Sequence, residues 1–219
     1  MFSTVFTESI VKKAISKDLL KINLVNIRDF AKNKHKTVDD KPYGGGRGMI
    51  LKVDIITCAL ESIKPKPYSI LLSASGRKYD QKTAVSLSKK KNIALVCGHY
   101  EGVDARVEKY VDICLSIGDF VLTGGEIATM AIVDSVTRLI PGVIRKESLD
   151  EESFFARSPK RKRWGVLEYP QFTRPKVFRG LAAPKVLLSG NHRKIAKWRL
   201  EQAIKRTKKL RPDLLKKPN

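Results

Sequence analysis

Apolar residues over the first twenty positions recur at helical spacing, with Val5, Ile10, Val11, Ala14, Ile15 and Leu19 on one face and lysines on the other. This predicts one amphipathic helix reaching about Leu20. Leu24, Val25 and Ile27 then read as a short strand, and a polar stretch from residue 33 leads into Gly44-Gly45-Gly46-Arg47-Gly48, a long loop with a flexible tip. Helical spacing returns over 53–63 and is stopped by Pro65 and Pro67, after which 69–72 reads as a strand. The pattern continues as a helix over 81–91, a strand over 93–97 and a short helix over 104–110. Strand candidates follow at 111–115 and 120–122, then a long helix over 126–139 that stops before Pro141-Gly142. Strands alternating with helices predict an α/β fold with a largely parallel sheet and flanking helices, whose ligands sit at the carboxyl ends of the strands.

Three apolar runs end in turns punctuated by glycine, and all three fall at those carboxyl ends. They are Leu71-Leu72-Ser73-Ala74-Ser75-Gly76, Cys97-Gly98-His99-Tyr100-Glu101-Gly102, and the run from Ser116-Ile117-Gly118-Asp119 through Phe120-Val121-Leu122 to Gly124-Gly125-Glu126. Glycine lets a main chain approach a ligand or turn where a Cβ would obstruct it. The three turns suggest one composite pocket. The Gly44–Gly48 run is not a phosphate loop, since no Lys-Ser or Lys-Thr follows it.

Charge changes the picture more than composition does. The 219 residues carry a formal net charge of +22, far beyond what solubility needs, which favours a polyanionic partner, nucleic acid ahead of membrane. The excess lies towards the C-terminus, where residues 145–219 hold 22 Lys and Arg against 7 Asp and Glu. Three parts are predicted: a sheet-bearing domain over 1–144, a charged flexible linker over 145–167, and a small, mainly helical domain over 168–219 with a basic helix over 195–210. Trp164, amid basic residues of the linker, is suited to stacking on a base. Cys58, Cys97 and Cys114 form no Cys-x-x-Cys pair and read as buried thiols of a cytoplasmic protein. No helix-turn-helix or zinc pattern favours DNA, and no apolar run is long enough to span a membrane.

Four motifs stand in one order: Pro42-Tyr43-Gly44-Gly45-Gly46-Arg47-Gly48-Met49, Cys97 through Gly102, Ser116 through Glu126, and Leu188-Ser189-Gly190-Asn191-His192. With Tyr169-Pro170-Gln171-Phe172-Thr173-Arg174-Pro175 and the Trp198-Arg199 helix, the set closely resembles the bacterial TrmD family over nearly the whole chain. That family comprises tRNA (guanine-N1)-methyltransferases, which use S-adenosylmethionine to methylate the guanosine immediately 3′ of the anticodon. The resemblance implies a SPOUT fold with a trefoil knot around the methyl-donor pocket, a homodimer, tRNA as partner, and help from Mg²⁺ at ligands the sequence does not identify. Against generic topology rules, the family places a knot here.

Carried over residue by residue, the resemblance assigns donor binding to Leu72, Ser73, Gly76, Gly98, Tyr100, Glu101, Gly102, Ile117, Gly118, Phe120, Leu122, Gly124 and Gly125. It implies that Glu152, ahead of Ser153-Phe154, is the base that takes the proton from guanine N1, with Asp150 as rival. The family has Asp where Glu152 stands. Arg138, in Asp134-Ser135-Val136-Thr137-Arg138, matches the arginine that stabilises charge on O6. Asp39 falls where the family contacts the preceding guanosine, and Arg47, Trp164, Arg174, Asn191 and His192 are expected on the tRNA. The sequence departs from the family at Ala128, where Pro is common, and begins after the family's opening strand, which is expected to leave a sheet position open. Two other readings stand beside this one: a noncatalytic RNA-binding protein of the same fold, and a knotted enzyme that methylates ribose 2′-hydroxyls.

Overall fold

The amphipathic stripe at the start is interrupted. In the computed structural model, which describes residues 2–145, 148–149, 152–154 and 166–215, it forms α1 (Phe2–Phe6) and α2 (Ser9–Ser16). At the break the Thr7 hydroxyl donates back to the Thr4 carbonyl, while Val11 and Ala14 of α2 are buried. The strand expected at Leu24, Val25 and Ile27 does not form. Leu24 and Val25 are exposed, and the Asn26 side chain accepts the Arg28 N–H to start a 3-10 helix over Ile27–Phe30. That turn sends Ile27 and Phe30 into the core, three residues apart on one side.

The polar loop that follows is closed at its base by β1 (Asp39–Asp40) pairing antiparallel with β2 (Ile50–Leu51). Next comes α3 (Val53–Ser62), which buries Ile55, Ile56 and Ala59 and turns Cys58 outward. Cys58 is therefore exposed, not the buried thiol its apolar neighbours suggest. Asp80 caps α4 (Gln81–Leu87) by accepting the Thr83 N–H at 2.8 Å, and the helix ends short of Lys91.

The sheet is built on β3 (Tyr68–Lys78), flanked by β4 (Ile93–Cys97) and β5 (Ile113–Ser116), both parallel to it. Successive strand side chains leave by opposite faces, so an unbroken apolar run requires cover on both. Leu71 packs with Ile55, Ile56 and Val107 on one face. Ile70 and Leu72 pack on the other with Leu87 of α4 and with Ala128 and Ile132 of α5 (Glu126–Thr137). The mixed α/β architecture with a parallel sheet is thus the one that the hydrophobic pattern predicts. The run Phe120-Val121-Leu122 is not a strand: Phe120 is 54% and Val121 90% exposed, and no sheet edge pairs with them.

The chain divides into two compact units, Met1–Ile144 and Arg145–Asn219. In the second, β6 (Val177–Phe178) and β7 (Leu181–Ala182) form a two-stranded hairpin, and a helix runs over His192–Leu210. Asn191 caps that helix by accepting the Lys194 N–H. Thr207, fully buried, accepts the Leu167 N–H at 2.9 Å and donates to the Ala203 carbonyl at 2.7 Å, tying the segment after residue 165 to the helix.

Candidate active site and nucleic-acid surface

The first of the three glycine turns is a detour within a strand. Leu72 and Arg77 both stand opposite Leu115, so Ser73 to Gly76 leave the sheet and return to the same partner. A Cβ on Gly76 would lie 2.6 Å from the Leu115 nitrogen, which explains glycine there. The Tyr79 N–H then donates to the Ser116 carbonyl at 2.7 Å, fastening the far side of the detour to the end of β5.

The second and third turns interlock. The Gly125 N–H donates to the Gly98 carbonyl at 2.8 Å, and His99 bridges Gly124. A Cβ on Gly125 would come within 2.8 Å of the Cys97 Cα. His99 Nδ1 lies 3.8 Å from the Glu126 carboxylate, adding a side-chain tie between the same turns. Tyr100 takes a left-handed φ of 58° and Gly102 one of 116°. Since Leu72 pairs with Cys97, all three turns share one edge of the sheet.

The turns at that edge carry the residues expected to hold the donor. Tyr100 and Phe120 expose ring surface, and Glu101 supplies a carboxylate; Gly98, Gly102, Gly118, Gly124 and Gly125 keep side chains off the main chain. Ile117 and Leu122 are half-buried and pack against the cluster that holds Ile70 and Leu72. The Glu101 N–H also donates to the Met49 carbonyl at 3.1 Å, and Gly48 packs directly on the Glu101 side chain. The glycine loop of residues 44–48 is thereby rooted on the second turn, a link that spacing does not reveal.

Cys97, beneath these turns, lies 3.0 Å from the Thr129 hydroxyl, and burial pushes its thiol pKa up. It is a thiol packed against α5. Asp39 lies half-buried in β1, and Arg47 is exposed in the glycine loop. Arg138 closes α5, its N–H donating to the Asp134 carbonyl, with its side chain half-buried.

Within the second unit Glu152 lines a cavity of about 670 Å³ with Arg145, Ser148, Glu168, Tyr169, Gln171 and Arg199. The Arg199 guanidinium lies 4.7 Å from the centre of the Tyr169 ring, and Gln171 Nε2 donates to Glu168. Sequence reasoning missed Glu168, Tyr169 and Arg199 as cavity residues. The signal was the pairing of the Tyr169 motif with the Trp198-Arg199 helix, which carried no role until the fold joined them. Arg174 and His192 are exposed, whereas the Asn191 side chain is engaged in capping. Asp150 and Trp164 lie outside the described residues.

A second cavity, of about 440 Å³, opens at the amino-terminal edge of the sheet among Lys64, Lys66, Lys109 and Asp112. The Asp112 carboxylate accepts from the Ser69 N–H and hydroxyl, and these bonds hold its pKa below the usual carboxylate range. Its role is to join β3 to the start of β5. Among the described residues no three His, Cys, Asp or Glu side chains group as a metal site, and no helix is long and apolar enough to cross a membrane.

A parallel sheet with glycine turns at its carboxyl edge, followed along the chain by a strongly basic helical unit, defines a mixed α/β protein with its glycine turns where such sheets hold ligands. Residues 1–217 match the family model tRNA (Guanine-1)-methyltransferase TrmD. The chain belongs to that family. It is 52% identical over 219 residues to a tRNA (guanine-N(1)-)-methyltransferase of Dictyoglomus turgidum, covering 99% of this chain and 86% of the relative. A protein of the same name from Caldanaerobacter subterraneus is 51% identical over 225 residues, covering 100% and 89%. One from Mycoplasmopsis synoviae is 46% identical over 217 residues, covering 99% and 92%.

Proposed function

We propose that the protein transfers the methyl group of S-adenosylmethionine to N1 of the guanosine immediately 3′ of the anticodon in tRNA. The observation that carries this reading is the placing of three glycine turns at one edge of the sheet, the second and third of them interlocked, in a chain of this family. When bound, S-adenosylmethionine supplies an electrophilic methyl carbon on a sulfonium.

The turns at Leu72–Gly76, Gly98–Gly102 and Ile117–Gly125 hold and bend the donor, with Tyr100 and Phe120 as apolar cover and Glu101 facing its cationic tail. Guanine N1 is a poor nucleophile while it carries a proton, so Glu152 takes that proton as the N1–methyl bond forms and the carbon–sulfur bond breaks. Negative charge moves onto O6 in the same step, and the Arg138 guanidinium stabilises it. Asp39 accepts hydrogen bonds from the guanine that precedes the target. Arg47, Trp164, Arg174 and His192 contact the tRNA, and Asn191 sets the start of the basic helix. No step is assigned to Mg²⁺. The same reading makes residues 1–144 a knotted SPOUT domain, 145–167 a linker and 168–219 a tRNA-binding domain, in a cytoplasmic homodimer.

Single-turnover methylation of two tRNA transcripts, differing only in guanosine or adenosine before the target, tests the proposal. Labelled methyl is expected at guanine N1 in the first transcript alone. Methyl on a ribose hydroxyl would replace the proposal with the 2′-O reading, and silence with intact tRNA binding would leave a noncatalytic RNA binder. Arg138→Ala is expected to slow the step by about 10²–10³-fold and Glu152→Gln by about 10²–10⁴-fold, with donor affinity unchanged. Near-normal turnover in either variant removes that residue from its role.

A further inference from the structure

The stretch from residue 169 to residue 200 contains eight Lys and Arg and no Asp or Glu. In its middle stands the β6–β7 hairpin, which exposes three large apolar side chains beside Arg179: Val177 at 55%, Phe178 at 59% and Leu181 at 77%. Phe178 stands directly opposite Leu181 in the ladder, so the two share a face. The two-residue turn between them, Arg179-Gly180, has left-handed φ at both positions, 47° and 78°. That geometry belongs to Asn, Asp and Gly, yet the first position carries arginine, whose guanidinium lies 5.3 Å from the centre of the Phe178 ring.

An exposed aromatic backed by a guanidinium, in a stretch of sequence that holds eight cations and no acid, has the composition of a base-stacking platform. The ring offers its face to a base, and neighbouring cations take the adjoining phosphates. A second copy of this chain is the weaker occupant, because two such hairpins would bring like charges together. We infer that the β6–β7 hairpin is a tRNA contact in which Phe178, held by Arg179, stacks on an unpaired base while Arg174 and Lys176 meet the flanking phosphates. The inference rests on the tRNA reading proposed above and adds the residues through which the hairpin would grip the substrate.

The test uses the full chain and an unmodified tRNA transcript, measuring tRNA affinity, its salt dependence, donor affinity and solution mass for the wild type, Phe178→Ala and Phe178→Trp. Stacking predicts that Phe178→Ala weakens tRNA binding about ten-fold or more without changing the salt slope. Donor affinity and mass stay unchanged, and Phe178→Trp restores binding. Unchanged tRNA affinity in Phe178→Ala overturns the inference while leaving wild-type methylation intact. A fall in solution mass that accounts for the lost affinity also overturns it, by assigning the hairpin to a second copy. If the wild type neither binds nor methylates tRNA, the functional proposal fails and the inference with it.

Discussion

Gly125 shows how a single missing atom fixes the candidate site. Its N–H reaches the Gly98 carbonyl at 2.8 Å only because no Cβ stands against the Cys97 backbone. Gly125→Ala forces one turn away from the other, an overpacking that costs about 1–3 kcal/mol. The expected outcome is a lower melting temperature together with weakened S-adenosylmethionine binding, read by calorimetry and titration on the same preparation. A destabilised variant that binds the donor normally would separate the turn contact from the donor site. At this scale the sequence was legible where chemistry is local. The glycine turns could be read directly, but Glu101 resting on Gly48 joins residues 53 positions apart and leaves no periodic trace.

Elements depend on their ends as much as on their faces. The 3-10 helix over Ala105–Tyr110, which carries Val107 into the core, starts at Asp104, whose carboxylate accepts the Arg106 N–H at 2.9 Å and pairs with its guanidinium at 2.7 Å. The Arg106 side-chain hydrogen bond is the main reason the Asp104 pKa falls to about 2. A carboxyl whose pKa is lower folded than unfolded stabilises the fold above its unfolded value near about 4 and loses that contribution as pH drops towards its folded value. Asp104→Asn keeps a capping acceptor but removes the charge, so at neutral pH it is expected to cost under about 1 kcal/mol, as for an exposed ion pair. Urea unfolding of both proteins should show that difference closing between about pH 4 and about pH 2. A difference constant across that range would deny the charge any part in stability. Element type was legible wherever an apolar face met a partner, as at Ile93–Cys97. It was misread at Phe120-Val121-Leu122, because hydrophobicity reports a preference for burial and not the presence of a strand to pair with.

On the scale of the whole molecule, charge is the dominant variable. An excess of +22, concentrated after residue 145, is expected to make the proposed affinity for tRNA steeply dependent on salt. Replacing a phosphate-contacting residue such as Arg174 by Ala should lower the slope of log affinity against log salt by about 0.7–0.9. An unchanged slope would take Arg174 off the phosphate backbone. The sequence offered five strand candidates and no strand order; that β3 stands between β4 and β5 depends on which edges meet in space.

The detour in β3 bears on how the proposed donor site would spend binding free energy. Four residues that leave and rejoin opposite the same buried leucine have little freedom to rearrange, and their conformational entropy is surrendered when the chain folds. A ligand meeting that wall finds it already shaped and loses less affinity to ordering it. Adaptation to a large, variable RNA then falls to parts without such double anchorage, so that one edge of the sheet acts as a fixed gauge for a small molecule of constant shape.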